Sequence, residues 1–165
     1  MVVNLTNNEI DDVCIEIMER IILEYPYYAP HVKFLYHYGC RVGELFDYRI
    51  TFNGITSQVI IKPQKHNNDR ILSMINAEIP SIVEQINITQ DNSYLNKRNL
   101  QRIIEKVHPI RQLMCGNKKI GAHLFRHNYI KKLVSSGYQI NTIDNMMGYT
   151  NQTVMDTYAI SSIYY

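Results

Sequence analysis

The hydrophobic period of this chain changes twice, and that limits the folds open to it. Ile10, Val13, Cys14, Ile17 and Ile21 recur at helical spacing. They follow Thr6-Asn7-Asn8-Glu9, which reads as a capping box whose Thr and Glu side chains satisfy the first helical amides. Pro26 and Pro30 punctuate the chain, and a second helix is expected over residues 32–38, stopping at Gly39. The period then falls to two. Residues 50–52, Asn53-Gly54 and residues 55–61 read as a β-hairpin, because Asn-Gly suits a type I′ turn. His66-Asn67-Asn68-Asp69 reads as a second turn before a third strand over residues 70–74. Helical spacing returns at Leu100, Ile103, Ile104 and Val107, closed by Pro109. Further helices are expected around 122–136, ended by Gly137, and over 141–147 and 153–160. The fold class that follows is mainly α with a small antiparallel β-sheet (α+β). The chain forms one domain without repeats or a low-complexity linker.

At 165 residues, 45% hydrophobic and 19% charged, the chain can bury a core and does not have a disordered composition. No apolar run reaches the roughly 20 residues that span a bilayer. The first twelve residues, polar and acidic, do not resemble a secretory signal. A cytoplasmic protein is therefore expected. Cys14, Cys40 and Cys115 are odd in number and widely spaced, which fits neither a disulfide framework nor a zinc site.

The net charge of +2 says little, but its distribution is uneven. Residues 1–24 carry six acids against the single base Arg20. Residues 97–132 carry ten bases against the single acid Glu105. A Lys- and Arg-rich surface can neutralise phosphates and release their counterions. The same charge also fits a solvated helix face.

Five short segments carry more information. They are Tyr38-Gly39-Cys40-Arg41-Val42-Gly43-Glu44-Leu45, Lys65-His66-Asn67-Asn68-Asp69-Arg70-Ile71-Leu72, His123-Leu124-Phe125-Arg126-His127, Met146-Met147-Gly148-Tyr149 and Thr157-Tyr158. Each is common by chance. In this order and at this spacing they resemble the catalytic domain of the tyrosine recombinases (phage-integrase family), whose patterns are T-G-x-R-x-x-E-L, K-x-x-x-x-R, H-x-L-R-H, L-L-G-H and a tyrosine nine residues beyond. The resemblance spans nearly the whole chain. It implies the DNA breaking-rejoining fold and cleavage of a DNA strand through a covalent bond to Tyr158.

The residue types suit that chemistry. Attack on a phosphodiester builds negative charge on its oxygens, and stabilising that charge is the main catalytic task. Arginine offers a planar fork and keeps its proton, so Arg41 and Arg126 are the expected phosphate clamps. Glu44, three residues after Arg41, is expected to orient it. His123 stands three residues before Arg126, on the same helical face, and can take a proton or bond a phosphate oxygen. His127 points elsewhere and reads as structural. By resemblance Lys65 protonates the leaving 5′-oxygen; the rival is Lys62, and Lys65 puts Arg70 in the family's register. Position alone selects Tyr158 as nucleophile among 13 tyrosines. No cofactor and no metal are expected.

One position departs from the pattern. The family's second His, sometimes Trp, is Tyr149 here. A phenol can donate a hydrogen bond to phosphate but carries no positive charge at neutral pH, so activity is expected to survive at the same or a reduced level; Tyr149 also fits a packing residue in a partly degenerate site.

The resemblance also implies double-stranded DNA as partner, a tetramer of the full-length protein on paired sites, and a monomeric isolated domain. Residues 1–165 read as the catalytic domain, without the family's N-terminal DNA-clamping domain. The alternatives are a type IB topoisomerase, which shares the chemistry but relaxes supercoils, and a DNA-binding relic of the same fold.

Overall fold

The computed structural model describes residues 3–4, 7–63, 69–107, 113–115, 118–119 and 121–148. Helix α1 (Asn7–Glu24) buries the expected stripe of Ile10, Val13, Cys14, Ile17 and Ile21. A 3-10 turn (Pro26–Tyr28) leads into α2 (Ala29–Tyr38). Pro30 lies inside the first turn of α2 instead of separating the elements, where its missing N–H has no partner to lose. Gly39 ends α2 in the left-handed region at φ +56, and its N–H donates to the Leu35 carbonyl.

A single helical turn, α3 (Glu44–Asp47), precedes an antiparallel sheet of β2 (Arg49–Asn53), β3 (Gln58–Lys62) and β4 (Arg70–Ser73), in that order. Ile50, Val59, Ile61 and Leu72 face the core, as alternation requires. The β2–β3 turn differs from expectation. Asn53 pairs with Gln58, leaving a four-residue loop instead of a two-residue type I′ turn. The Asn53 side chain accounts for this. Its Oδ1 accepts from the N–H groups of Ile55 at 3.0 Å and Thr56 at 3.3 Å, and the positive φ falls on Ser57 instead of Gly54.

Helix α4 (Ile79–Thr89) is not among the individual helices expected from the sequence. Its signals were present: Pro80 in the first turn and Ile79, Ile82, Val83 and Ile86 at helical spacing. Its C-terminal end pins the neighbouring elements. Asn87 Nδ2 donates to the Ile50 carbonyl at 2.7 Å, and Gln90 Nε2 donates to the carbonyls of Tyr48 at 2.6 Å and Leu45 at 3.1 Å. Helix α5 (Lys97–Val107) buries Leu100, Ile103, Ile104 and Val107 and is capped by Asn96, whose Oδ1 accepts from the Asn99 N–H at 2.9 Å.

Helix α6 (His123–Ser135) and α7 (Ile140–Met147) complete the described helices. Gly137, at φ +88, follows α6, and Gly148, at φ +75, caps α7. A second small sheet was not expected: β1 (Val3–Asn4) pairs parallel with β5 (Leu113–Cys115), which pairs antiparallel with β6 (Lys118–Lys119). Its strands are two or three residues long, too short for alternation to show. The expected capping residue Thr6, the closing Pro109 and the helix over 153–160 lie outside the described residues. The main core joins α1, α2, α4, α5, the β2–β4 sheet and the start of α6. A smaller cluster of Ile130, Leu133, Ile143 and Met147 joins α6 to α7.

Candidate active site

The segment between α2 and α3 is built to hold an arginine. Gly39 turns the chain, and a Cβ there would stand 2.5 Å from Tyr129 Cβ, so only glycine fits against α6. Cys40 follows, its thiol fully buried and its pKa raised by that burial and then by Glu44. Arg41 is exposed. Glu44 reaches back so that its Oε1 accepts the Arg41 N–H at 2.7 Å, while the Glu44 N–H donates to the Arg41 carbonyl at 3.0 Å. The two bonds close the turn from Arg41 to Glu44 in both directions. Glu44 therefore acts on the Arg41 backbone, not as a helical neighbour three residues on, because Arg41 lies before α3.

His123 and Arg126 stand on the first turn of α6. Together with Arg41 they line one cleft of about 400 Å³, whose walls also include Cys40, Val42, Gln101, Glu105, Gly121 and Ala122. His123 is exposed and Arg126 is buried, at 1% exposure. The Arg126 guanidinium is already anchored. Nη1 donates to the Gly39 carbonyl at 3.0 Å and Nη2 to the Met147 carbonyl at 2.7 Å. These bonds join the C-terminal ends of α2 and α7 and fix the orientation of the charge. His127 is half-buried, and burial first, then Lys131, lowers its pKa.

In the sequence Arg70 reads only as a register marker for Lys65. In the structure it is a buried cation whose Nη1 pairs with Glu44 and whose Nε donates to the Met146 carbonyl at 2.9 Å. Gln101 and Glu105 were not singled out either. They stand four apart on the exposed face of α5, and that spacing was visible, but nothing local showed which elements would face it. Lys62, the rival of Lys65, is the exposed last residue of β3, opposite Arg49. Lys65, Tyr149 and Tyr158 lie outside the described residues.

The basic stretch is only partly surface. Lys97, Arg98, Arg102, Lys106 and Lys132 are exposed, whereas Arg126 is interior. Lys132 is bound to Asp11 at 2.6 Å and to the Tyr36 hydroxyl at 3.0 Å, which ties α6 to α1 and α2. Among the described residues no helix is long and apolar enough to cross a membrane. Nor do His, Cys, Asp and Glu side chains there gather in a group that could hold a metal ion.

Comparison with known proteins gives the family and the fold. The model of the phage integrase family matches residues 3–163. A tyrosine recombinase of Agathobacter rectalis is 24% identical over 144 residues, covering 79% of this chain and 46% of the relative. A tyrosine recombinase of Thermosipho africanus is 24% identical over 137 residues, covering 77% and 47%. The chain thus spans about half the length of the curated relatives it matches. Among solved structures, XerA recombinase superposes with a TM-score of 0.66 at 20% identity, over 99% of this chain and 63% of that one. XerH site-specific recombinase, in a post-cleavage complex with palindromic difH substrate, gives 0.67 at 16% identity, over 97% and 50%.

Proposed function

Since the chain belongs to the phage integrase family, we propose that it is the catalytic domain of a site-specific DNA recombinase, which cleaves and rejoins strands through a 3′-phosphotyrosine. The observation that carries this reading is the single cleft lined by Arg41, His123 and Arg126, three residues drawn from two separated motifs.

In this reading the scissile phosphate sits in that cleft. Arg41, exposed and held by its backbone, approaches one side; Arg126, fixed by two carbonyls, supplies charge from beneath. Fixed charges of this kind need no reorganisation as the transition state forms. Tyr158 Oη attacks phosphorus, forming a phosphotyrosine bond while the P–O5′ bond breaks. The phenol, with an ordinary pKa near 10, gives up its proton to His123 or solvent, and Lys65 protonates the departing 5′-oxygen. The phosphoester bond is conserved, so a 5′-hydroxyl can reverse the step and reseal a strand. Tyr149 donates a hydrogen bond to a phosphate oxygen.

The proposed partner is double-stranded DNA. XerH was solved with a difH substrate, and the Tn1549 transposon integrase with transposon right-end DNA. Exchange of strands between two sites implies a tetramer of the full-length protein. The topoisomerase alternative is not favoured, because the family and the neighbouring structures named here are recombinases and integrases.

The test uses a nicked suicide duplex selected by affinity from a randomised pool. The wild-type chain should form a covalent protein–DNA adduct that Tyr158→Phe does not form. Persistence of the adduct in that variant, or its absence from the wild type, would end this reading.

A further inference from the structure

One buried cation touches three of the segments that carry candidate residues. Arg70 opens β4, five residues after Lys65. Its Nη1 pairs with Glu44, whose other oxygen holds the Arg41 N–H at 2.7 Å. Its Nε donates to the Met146 carbonyl at 2.9 Å, three residues before Tyr149. Arg70 is 6% exposed and Glu44 4%.

Stability does not explain this arrangement well. Burying an ion pair costs about as much as it returns, and an apolar pair of similar volume often does better. What the arginine supplies is geometry. Its planar fork addresses a carboxylate and a carbonyl at once, which a single ammonium group does not. The turn that receives it is shaped to match. Gly148 lies at φ +75, and a Cβ there would stand 2.9 Å from Arg70 Cδ, so the arginine stem occupies the space a side chain would need. The next carbonyl, that of Met147, is taken by Arg126 at 2.7 Å. Two successive carbonyls from the last turn of α7, left without intrahelical partners, are thus each bound by an arginine from a different element.

We propose that Arg70 is a positioning residue of the site. It locks the turn at Met146, Met147 and Gly148 onto Glu44 and onto the start of β4, five residues after Lys65 in the sequence. The end of α7 at Gly148, the start of β4 at Arg70 and the Arg41 turn are thereby held in one register. The consequence for catalysis rests on the strand-transfer reading; the lock itself does not.

The full chain labelled with 3-fluorotyrosine tests it by fluorine NMR, with the Tyr149 signal assigned by its loss in Tyr149→Phe. Arg70→Lys keeps the charge and removes the fork. It should shift or broaden the Tyr149 signal and leave that of Tyr28, which bonds Asn96 and Asn99 at the start of α5, in place. A Tyr149 signal at its wild-type position overturns the proposal. If Arg70→Lys does not fold, Glu44→Ala, which removes the carboxylate that holds Arg70 and lies far from Tyr149 in the chain, decides by the same criterion. On the selected nicked duplex, Arg70→Lys should lower the cleavage rate at saturating DNA by about 100-fold while affinity stays within about threefold. Weakened affinity with an unchanged saturating rate would make Arg70 a DNA contact and refute the positioning role. If the wild type forms no adduct, the strand-transfer reading fails, and the fluorine signals still decide the lock.

Discussion

Arg126 Nη2 lies 2.7 Å from the carbonyl oxygen of Met147, so a residue of α6 closes the end of α7. The same guanidinium binds the Gly39 carbonyl at 3.0 Å. Arg126→Met therefore leaves two carbonyls without these donors at a buried position. It should destabilise the chain by about 2–4 kcal/mol, read from the urea midpoint. Arg126→Lys should lose less stability, yet still abolish most adduct formation, because one ammonium group cannot hold both carbonyls and face the cleft.

Gly39 carries the sharpest steric demand in the described chain. Its φ of +56 and the 2.5 Å approach of a built Cβ to Tyr129 Cβ both oppose a side chain. Gly39→Ala should cost about 2–3 kcal/mol. Gly54, with nothing within 4 Å of a built Cβ, is the control, and Gly54→Ala should leave the melting temperature nearly unchanged.

His31 gives the fold a pH dependence. It is fully buried, stacks on Phe46 with centroids 5.2 Å apart, and its Nε2 lies 2.9 Å from Thr89 Oγ1. Burial lowers its pKa to about 4. The unfolded chain then binds the proton more tightly than the folded one. The contribution to stability is complete above about pH 6.5 and is lost as pH falls from there toward about 4. The loss should amount to roughly 3 kcal/mol, and His31→Phe should flatten that part of a denaturation-versus-pH curve. A curve of wild-type slope in the variant would refute the assignment.

Glu105 places a carboxylate in the wall of a cleft otherwise suited to phosphate. It is exposed, so its repulsion acts through a high dielectric and is modest. Glu105→Gln should tighten binding to duplex DNA by roughly two- to fivefold at low salt, with the difference fading as ionic strength rises. An effect independent of salt, measured by fluorescence anisotropy, would rule out an electrostatic origin.

Much of the fold was legible in the sequence because its signals are local. The stripe from Ile10 to Ile21, the stop at Gly39 and the Leu100–Val107 face each follow from spacing within one element. So did the third strand beginning at Arg70. Helix α4 is not among the expected elements although its apolar spacing is visible, because its run of Ile and Val reads equally well as strand. The Asn53-Gly54 turn departs from the expected type I′ because the Asn53 side chain bonds forward to two amides, a choice that dipeptide composition does not distinguish.

The sequence by itself determined which residue types are available for the chemistry and their order: Arg41, Lys65, His123, Arg126, Tyr149 and Tyr158. Only the tertiary structure decided how the described ones are held. Arg41 is fixed through Glu44, Arg126 is interior and bound to Gly39 and Met147, and Arg70 joins Glu44 to Met146 across 26 and 76 residues of chain. Periodicity reports the environment of a residue on its own helix or strand. A buried guanidinium chooses its acceptors from whatever carbonyls and carboxylates packing brings within 3 Å, and that choice is made only when the elements have docked.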